Sequence, residues 1–513
     1  MTNQNDINRR DALAVAGGAA ALMTGAGAMA AGNAKISDIV LMDAHQLSQA
    51  IHAKHVSCAE VMSAYLDHIA RFNPKVNAII FMRDRGALMK EAADRDADLS
   101  RGGSRGWMHG FPQAIKDLAA AAGIRMTQGS PILKDFVPST DSIHVERVKR
   151  AGAIVIGKTN TPEFGLGSQT YNPVSGTTLN PYDLSKTPGG SSGGACASLA
   201  LRMLPVADGS DSGGSLRNPA AYCNVFGFRP SFGRVPSDGV DVFSAPFGVS
   251  GPLARTVPDL AMLLSTQAGY DPRAPLSNRQ DPAVFAGPLN RDLKGVRIAW
   301  PGDFNGYLAF EPGILDLCRA ALKHFESLGC VVEDARPDYP LEKVWDAWVK
   351  LRAAQNSATL KGYYADPAKR KLMKPEVQYE VETGMKLSAF DLVDAAAVRT
   401  QWYEAVRRFS ERYPFFVLPT AQVFPFDAKV HWPTEINGRK MDTYHRWMEV
   451  CSLVSMTGCP SLNVPAGFSA PGLPMGMQIV GRNQDELGCL QMAAAYDQAT
   501  NLVRQNPPAL LGI

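Results

Sequence analysis

The chain has 513 residues, of which 45% are hydrophobic and 20% charged, a composition typical of a globular rather than a disordered protein. A net charge of +3 leaves no basic footprint for nucleic acid, so no nucleic-acid partner is predicted. After the N-terminal region, no uninterrupted apolar run is long enough to span a bilayer. The sequence does not exclude a homodimer.

Residues 1–34 have the layout of an export signal. Arg9 and Arg10 precede an uncharged run made mostly of Ala, Gly, Leu and Met, and small residues around Ala30 offer cleavage sites. The arginine pair indicates the twin-arginine type of signal. We therefore expect export, with removal of this segment and a mature protein in the bacterial periplasm. A retained anchor or an unstructured tail is the alternative, and without a working signal the protein would stay in the cytoplasm.

The eight cysteines form no Cys-x-x-Cys pair, and no Cys/His cluster has the spacing of a zinc site. Neither a metal nor another cofactor is therefore predicted. We expect most of the cysteines to be small core residues.

The rest of the chain alternates helices with short apolar strands, which predicts an α/β fold with a central mixed sheet covered by helices on both faces. Pro74 is expected to end the second helix. Residues 340–412 are predicted to be mostly helical, with aromatic side chains that belong more often to a core than to a pocket. The other predicted helices lie at residues 44–54, 59–71, 84–99, 142–150 and 312–327. The apolar residues Phe111, Ala114 and Ile115 predict a short buried strand that ends at Lys116. Further strands are predicted at residues 153–157, 204–207, 296–300, 331–333, 415–418, 461–464 and 476–480.

Two segments rich in glycine and serine lie close together, at residues 189–194 and 213–215. An apolar segment rich in Ala and Leu separates them, which argues against a flexible linker. Glycine adopts backbone conformations closed to other residues, so two such segments can direct their N–H groups at one anion site. A serine within such a site is a candidate nucleophile with an oxyanion hole beside it.

The pattern Gly-x-Ser-x-Gly at residues 189–193 would make Ser191 the nucleophile of an α/β-hydrolase elbow. That elbow requires a hydrophobic strand directly before it, whereas residues 180–188 are typical of turns. It also requires a later histidine, and the three that follow lie in no glycine- or acid-rich context. No Ser-x-x-Lys pair occurs either, which excludes a β-lactamase-type site. The elbow interpretation therefore fails.

Three motifs together resemble those of the amidase signature hydrolases. In that family a lysine motif precedes two glycine-serine motifs, and the two catalytic serines are 24 positions apart, as Ser191 and Ser215 are here. The motifs are Gly-Phe-Pro-Gln-Ala-Ile-Lys-Asp at residues 110–117, Gly-Gly-Ser-Ser-Gly-Gly at residues 189–194 and Asp-Ser-Gly-Gly-Ser at residues 211–215.

The resemblance continues to residues 458–465 and covers nearly the whole chain after the signal segment. It implies an amidase signature domain at residues 35–513, with a signature core at about residues 105–235. The helical region at about residues 304–447 lies outside the signature and holds most of the aromatics. We expect that region to determine specificity by shaping the substrate pocket.

The resemblance also implies a role for each site residue. Ser215 would be the nucleophile, and Ser191, entered through a cis peptide bond, would pass its proton to a neutral Lys116. Taken alone, a lysine at a strand end could equally extend to solvent. The oxyanion would be held by backbone N–H groups of Ser212, Gly213, Gly214 and Ser215.

Other polar residues of the motifs are assigned supporting roles. Asp211 and Arg217 are expected to hold the second glycine-serine segment in place rather than to react. Ser192 is expected to cap the helix that follows it.

The resemblance implies an amidase that cleaves an amide C–N bond through an acyl-enzyme on Ser215. From the aromatics of residues 304–447 we expect a small, neutral and at least partly apolar amide as substrate. Esters would be side substrates. Members of the family also hydrolyse carbamates or oligoamides, or act as the glutaminase subunit of a tRNA-dependent amidotransferase, and these remain alternatives. An export signal argues against the amidotransferase role. The presence of Lys116, Ser191 and Ser215 together argues against a non-catalytic protein on the same fold.

Overall fold

The structure, a computed structural model, describes residues 36–239, 241–244 and 247–513. The predicted export signal at residues 1–34 lies outside the described residues. The strands are β1 (Ile79–Ile80), β2 (Pro112–Lys116), β3 (Ile154–Thr159), β4 (Tyr171–Asn172), β5 (Gly176–Thr177), β6 (Ala207–Asp211), β7 (Phe226–Arg229), β8 (Val249–Ala254), β9 (Arg297–Trp300), β10 (Val331–Asp334), β11 (Phe415–Pro419), β12 (Glu435–Ile436), β13 (Arg439–Lys440), β14 (Ser461–Phe468) and β15 (Pro474–Val480).

The helices account for much of the remaining chain. They are α1 (Asp38–Leu41), α2 (Ala44–His52), α3 (Cys58–Val76), α4 (Arg85–Ser100), α5 (Ile143–Arg150), α6 (Gly193–Ala200), α7 (Arg217–Tyr222), α8 (Val257–Gln267), α9 (Ile314–Ser327), α10 (Leu341–Ala365), α11 (Pro367–Arg370), α12 (Pro375–Met385), α13 (Ala389–Arg412), α14 (Glu449–Thr457), α15 (Glu486–Thr500) and α16 (Leu502–Gln505). Among the described residues, no helix combines the length and apolar character needed to cross a membrane.

Eight strands form the central sheet, in the spatial order β10-β9-β11-β15-β14-β7-β8-β6. Strand β9 is parallel to both of its neighbours, and the remaining pairs are antiparallel, so the sheet is mixed. Helices flank this sheet. The predicted α/β class with a central mixed sheet is therefore confirmed.

A smaller sheet, ordered β1-β3-β2, meets the edge of the central one. Its strand β2 packs against β6, the edge strand of the large sheet. The backbone N–H of Lys116, the last residue of β2, donates to the Asp208 carboxylate of β6 at 3.3 Å. The ends of these two strands, Lys116 and Asp211, therefore lie near the same point.

Two local predictions were wrong. The helix predicted at residues 59–71, which is α3 in the structure, does not end at Pro74. It continues to Val76 and is capped by Asn77 in a left-handed conformation. A proline removes its own hydrogen bond and crowds the carbonyl of residue i−4, but Pro74 lies only two residues before the end of the helix, so little of the helix is affected. The strand predicted at residues 204–207 instead begins at Ala207, because Pro205 interrupts the apolar run and the strand itself is largely polar.

Candidate active site

Lys116 is buried at the junction of the two sheets, with 1% of its surface exposed, so it does not extend to solvent. Its Nζ donates to the hydroxyls of Ser191 and Ser192, both at 2.8 Å. It also contacts Ser210 of β6, at 3.1 Å to the hydroxyl and 3.3 Å to the carbonyl oxygen. The amine is therefore surrounded by oxygen atoms. One of them is the hydroxyl of Ser191, the serine expected from the sequence to accept its contact.

The protonation of Lys116 is set mainly by its burial. Removal from water disfavours the charged amine and lowers the pKa of Lys116 to about 7, although Asp208 and Asp211 act in the opposite direction. Near neutral pH, a large fraction of the amine is therefore uncharged. An uncharged lysine has a lone pair and can accept a proton from a serine hydroxyl.

The first glycine-serine segment places Ser191 and Ser192 on either side of the lysine amine. The peptide bond between Gly190 and Ser191 is cis. Ser192 occupies the N-cap position of α6, but its hydroxyl makes no capping hydrogen bond. The prediction of a capping hydroxyl was wrong because the Lys116 amine, at 2.8 Å, takes up that oxygen instead.

A backbone contact joins the first segment to the second. The N–H of Ser192 donates to the carbonyl oxygen of Ser215 at 3.2 Å. Ser215 is 8% exposed, and its hydroxyl donates to no group among the residues that the structure describes. Ser191 and Ser215 therefore lie on adjoining segments, and the Ser215 hydroxyl is available to a ligand.

A buried cluster of charges holds the second segment. The Asp211 carboxylate accepts from the Gly214 N–H at 2.8 Å and from Nε and Nη2 of Arg217, both at 3.0 Å. Arg229 also contacts this carboxylate, at 3.1 Å, and donates to the Asp211 carbonyl oxygen. Two guanidinium groups thus face one carboxylate, and all three side chains are fully buried. This arrangement leaves an excess of positive charge behind the segment that carries Ser215.

The backbone N–H groups of this segment differ in what they bind. That of Gly214 is engaged by Asp211, whereas those of Ser212, Gly213 and Ser215 donate to no group within the described part of the chain. Gly214 has a φ of 123°, and a Cβ there would lie 2.8 Å from the Cβ of Cys451. A glycine is therefore required at this position by both conformation and space.

Ser191 and Ser215 line one cavity of about 80 Å³. Five apolar side chains contribute to its walls, those of Leu118, Phe164, Leu166, Trp348 and Met448, but polar atoms make up the larger part of its surface. Arg352 and Asn356 of α10 add polar groups. Among the described residues that line the cavity, none is a carboxylate.

Comparison with known proteins assigns this arrangement to a family. The family model described as Amidase matches residues 60–490. The chain belongs to the amidase signature family. In sequence it is 32% identical, over 501 residues, to a glutamyl-tRNA(Gln) amidotransferase subunit from Alkaliphilus metalliredigens, covering 92% of this chain and 99% of the relative. The corresponding subunit from Moorella thermoacetica is 33% identical over 492 residues, with the same coverage.

Solved structures of amidase signature enzymes share the fold over most of both chains. A bacterial aryl acylamidase superposes with a TM-score of 0.87 at 29% identity, covering 93% of this chain and all of the other. The native peptide amidase from Stenotrophomonas maltophilia has a TM-score of 0.75 at 26% identity, covering 91% of this chain and 98% of the other. The amidase signature fold is therefore shared with enzymes whose names describe different amide substrates.

Within this amidase signature fold, the motifs located part of the site but not all of it. Asp208 and Ser210, which β6 directs at Lys116, were not found from the sequence, and no role was predicted for Arg352 or Asn356. Acidic and hydroxyl residues alternating at positions 208 and 210 were a signal for one polar face of a strand. Positions 348, 352 and 356 are spaced four apart, which is the signal for one face of a helix.

Proposed function

We propose that the protein is an amidohydrolase that cleaves the C–N bond of a neutral carboxylic amide through an acyl-enzyme on Ser215, releasing a carboxylic acid and ammonia or an amine. The observation that carries this proposal is the buried Lys116 amine, which lies 2.8 Å from the hydroxyl of Ser191, a residue that lines the same cavity as Ser215. We assign Lys116 the role of base, Ser191 that of the bridging hydroxyl and Ser215 that of the nucleophile.

The reaction begins with transfer of the Ser215 proton to Ser191 as the Ser191 proton passes to neutral Lys116. The Ser215 oxygen attacks the amide carbonyl carbon, and the resulting oxyanion accepts hydrogen bonds from backbone N–H groups of Ser212, Gly213 and Ser215. The relay then runs in reverse and protonates the amide nitrogen as the C–N bond breaks. A water molecule attacks the acyl-enzyme by the same relay and releases the acid.

Electrostatics favour this assignment of the oxyanion. The excess positive charge of Arg217 and Arg229 over Asp211 lies behind the segment that would bind it, in a region where water does not screen it. The Gly214 N–H is bound to Asp211, so we assign Gly214 a part in shaping the segment. The N–H groups of Ser212, Gly213 and Ser215 are left to bind the oxyanion.

The amidotransferase subunits among the relatives make a glutaminase the second candidate function. Free glutamine would bring an ammonium group and a carboxylate close to the scissile amide. Among the described residues that line the cavity, none supplies a carboxylate for the ammonium group. An ammonium group would leave water there without a counter-ion, which favours an amide without a positive charge near the reacting group, such as an alkyl or aryl amide, over glutamine.

Turnover of a substrate panel tests the proposal. With purified protein we expect hydrolysis of neutral alkyl and aryl amides, weaker side activity on the matching esters, and little release of ammonia from free glutamine. Carbamates and linear oligoamides in the same panel assess the remaining family alternatives. Best turnover on a highly charged substrate, or glutamine-dependent transamidation, would contradict the proposal.

We also propose that the protein is exported, on the strength of the arginine pair and the uncharged run that follows it. Mass spectrometry of the protein from its native host should find a mature N-terminus between about residues 29 and 37, within the small-residue region. The periplasmic fraction should contain this form. An intact terminus at Met1 or Thr2 in the cytoplasmic fraction would refute export.

A further inference from the structure

One face of α10 forms a wall of the catalytic cavity. Trp348, Arg352 and Asn356 follow one another at four-residue spacing, which places them on the same side of the helix, and all three line the cavity. We propose that this face selects amides that carry a second, neutral hydrogen-bond acceptor, such as a carbonyl oxygen, in their acyl part. The inference rests on the proposed amidohydrolase function and specifies its substrate.

The Arg352 guanidinium is held on one side and open on the other. Its Nε donates to Glu380 at 2.9 Å, and its Nη2 donates to the Tyr444 hydroxyl at 3.2 Å. Its carbon lies 5.2 Å from the centre of the Trp348 ring. Within the described residues, Nη1 donates to no group, although the side chain is only 11% exposed. A mostly buried guanidinium thus retains N–H donors that a ligand in the cavity can engage.

Trp348 provides a second donor without a partner. The side chain is 1% exposed, and its Nε1 finds no hydrogen-bond partner among the described residues. The indole lies against the segment that carries the nucleophile, since a Cβ on Gly213 would come within 2.8 Å of Trp348 Cζ2. Two donors without partners therefore lie one helical turn apart, beside the proposed oxyanion site.

The charge of this wall is already balanced. The Glu380 carboxylate is 1% exposed and accepts from Arg352, from Asn356 at 2.9 Å and from the Tyr444 hydroxyl at 2.5 Å. Burial would raise the pKa of Glu380, but Arg352 and His445 more than offset this and hold it well below its usual range. Both members of the pair are therefore charged, and together they carry no net charge.

This balance decides between a neutral and an anionic acceptor. A carboxylate would have to leave water and would meet a guanidinium whose charge Glu380 already neutralises. A neutral carbonyl oxygen loses less hydration and still accepts the free N–H donors. An amide with a neutral second acceptor therefore fits this wall better than one with a carboxylate.

Three primary amides of similar length test the inference. They are 4-(dimethylamino)-4-oxobutanamide, which has a neutral acceptor, 5-methylhexanamide, which has none, and 4-amino-4-oxobutanoate, which has a carboxylate. Ammonia release gives kcat and KM for each. We expect kcat/KM for the neutral-acceptor amide to exceed that of the other two by about 10- to 100-fold, the range for a hydrogen bond to a charged donor, mainly through KM.

Substitution on α10 connects this preference to Arg352. The single variant Arg352→Met leaves the Glu380 carboxylate without its counter-ion. The double variant Arg352→Met/Glu380→Gln removes both charges and is therefore made as well. Thermal unfolding shows whether the double variant is folded. The folded double variant should lose the preference for the neutral acceptor. Lys361→Met, an exposed cation removed from the same helix, should retain it.

The outcomes separate the two proposals. Equal kcat/KM for 5-methylhexanamide and the neutral-acceptor amide would overturn the inference and leave amide hydrolysis standing. A preference for 4-amino-4-oxobutanoate would overturn the assignment of a neutral acceptor, and persistence of the preference in the folded double variant would overturn the assignment to Arg352. Absence of turnover for every amide and ester would overturn the proposed function and the inference with it.

Discussion

A Ser215→Ala variant is expected to lose amide hydrolysis by about 10⁴-fold or more, because removal of a catalytic nucleophile leaves only the residual catalysis of the binding site. It should also lose labelling by a fluorophosphonate probe, since no acyl-enzyme or phosphonyl adduct can form at position 215. Rates on a neutral amide and gel fluorescence after probe treatment measure the two effects.

The matched control is Ser327→Ala, which removes an exposed hydroxyl at the end of α9. It should keep both the turnover and the labelling of the unmodified protein. Amide turnover by Ser215→Ala within tenfold of that rate would show that another group is the nucleophile.

Lys116→Ala and Ser191→Ala are expected to reduce amide turnover by about 10²–10⁴-fold, the usual range for loss of proton transfer. Unlike Ser215→Ala, both variants should still be labelled slowly by the probe, because the nucleophile remains. Their residual activity should favour esters over amides, since an alkoxide leaves without the proton that an amine requires. Initial rates on a matched ester and amide test this ratio, and an unchanged ratio in both variants would contradict the relay.

The same relay fixes the direction of the pH dependence. Only the neutral amine of Lys116 accepts a proton, so kcat/KM should rise with pH and reach half of its plateau near pH 7, because burial lowers the pKa of Lys116 to about 7. A profile that falls across this range would show that the protonated amine is the active form. In Lys116→Ala this limb of the profile should disappear.

The residues that were found from sequence are those whose chemistry demands a fixed residue type at a fixed spacing. Lys116, Ser191 and Ser215 lie in three motifs whose glycines and serines have few substitutes, and the structure places the Lys116 amine 2.8 Å from the Ser191 hydroxyl. Strands β9, β10, β11, β14 and β15 of the central sheet were also predicted, because their apolar runs are short and bounded by turns, whereas β7 and β8 were not. In these cases local sequence and global fold agree.

The residues that were missed depend on contacts between distant segments. Strand β6 has the sequence Ala-Asp-Gly-Ser-Asp, without an apolar alternation to mark it, and its Asp208 and Ser210 acquire meaning only where β2 meets it. On α10, the sequence shows which residues share a face but not what that face contacts. The interpretation of Trp348 as a core residue was incomplete, since it is 1% exposed and also lines the cavity.

The most direct test of the mechanism is the position of the covalent adduct. After treatment of the unmodified protein with a fluorophosphonate probe, proteolysis and tandem mass spectrometry should place the added mass on Ser215. The two serines lie 24 positions apart on segments that digestion can separate, so the assignment is unambiguous. An adduct on Ser191, with Ser215 unmodified, would contradict the account.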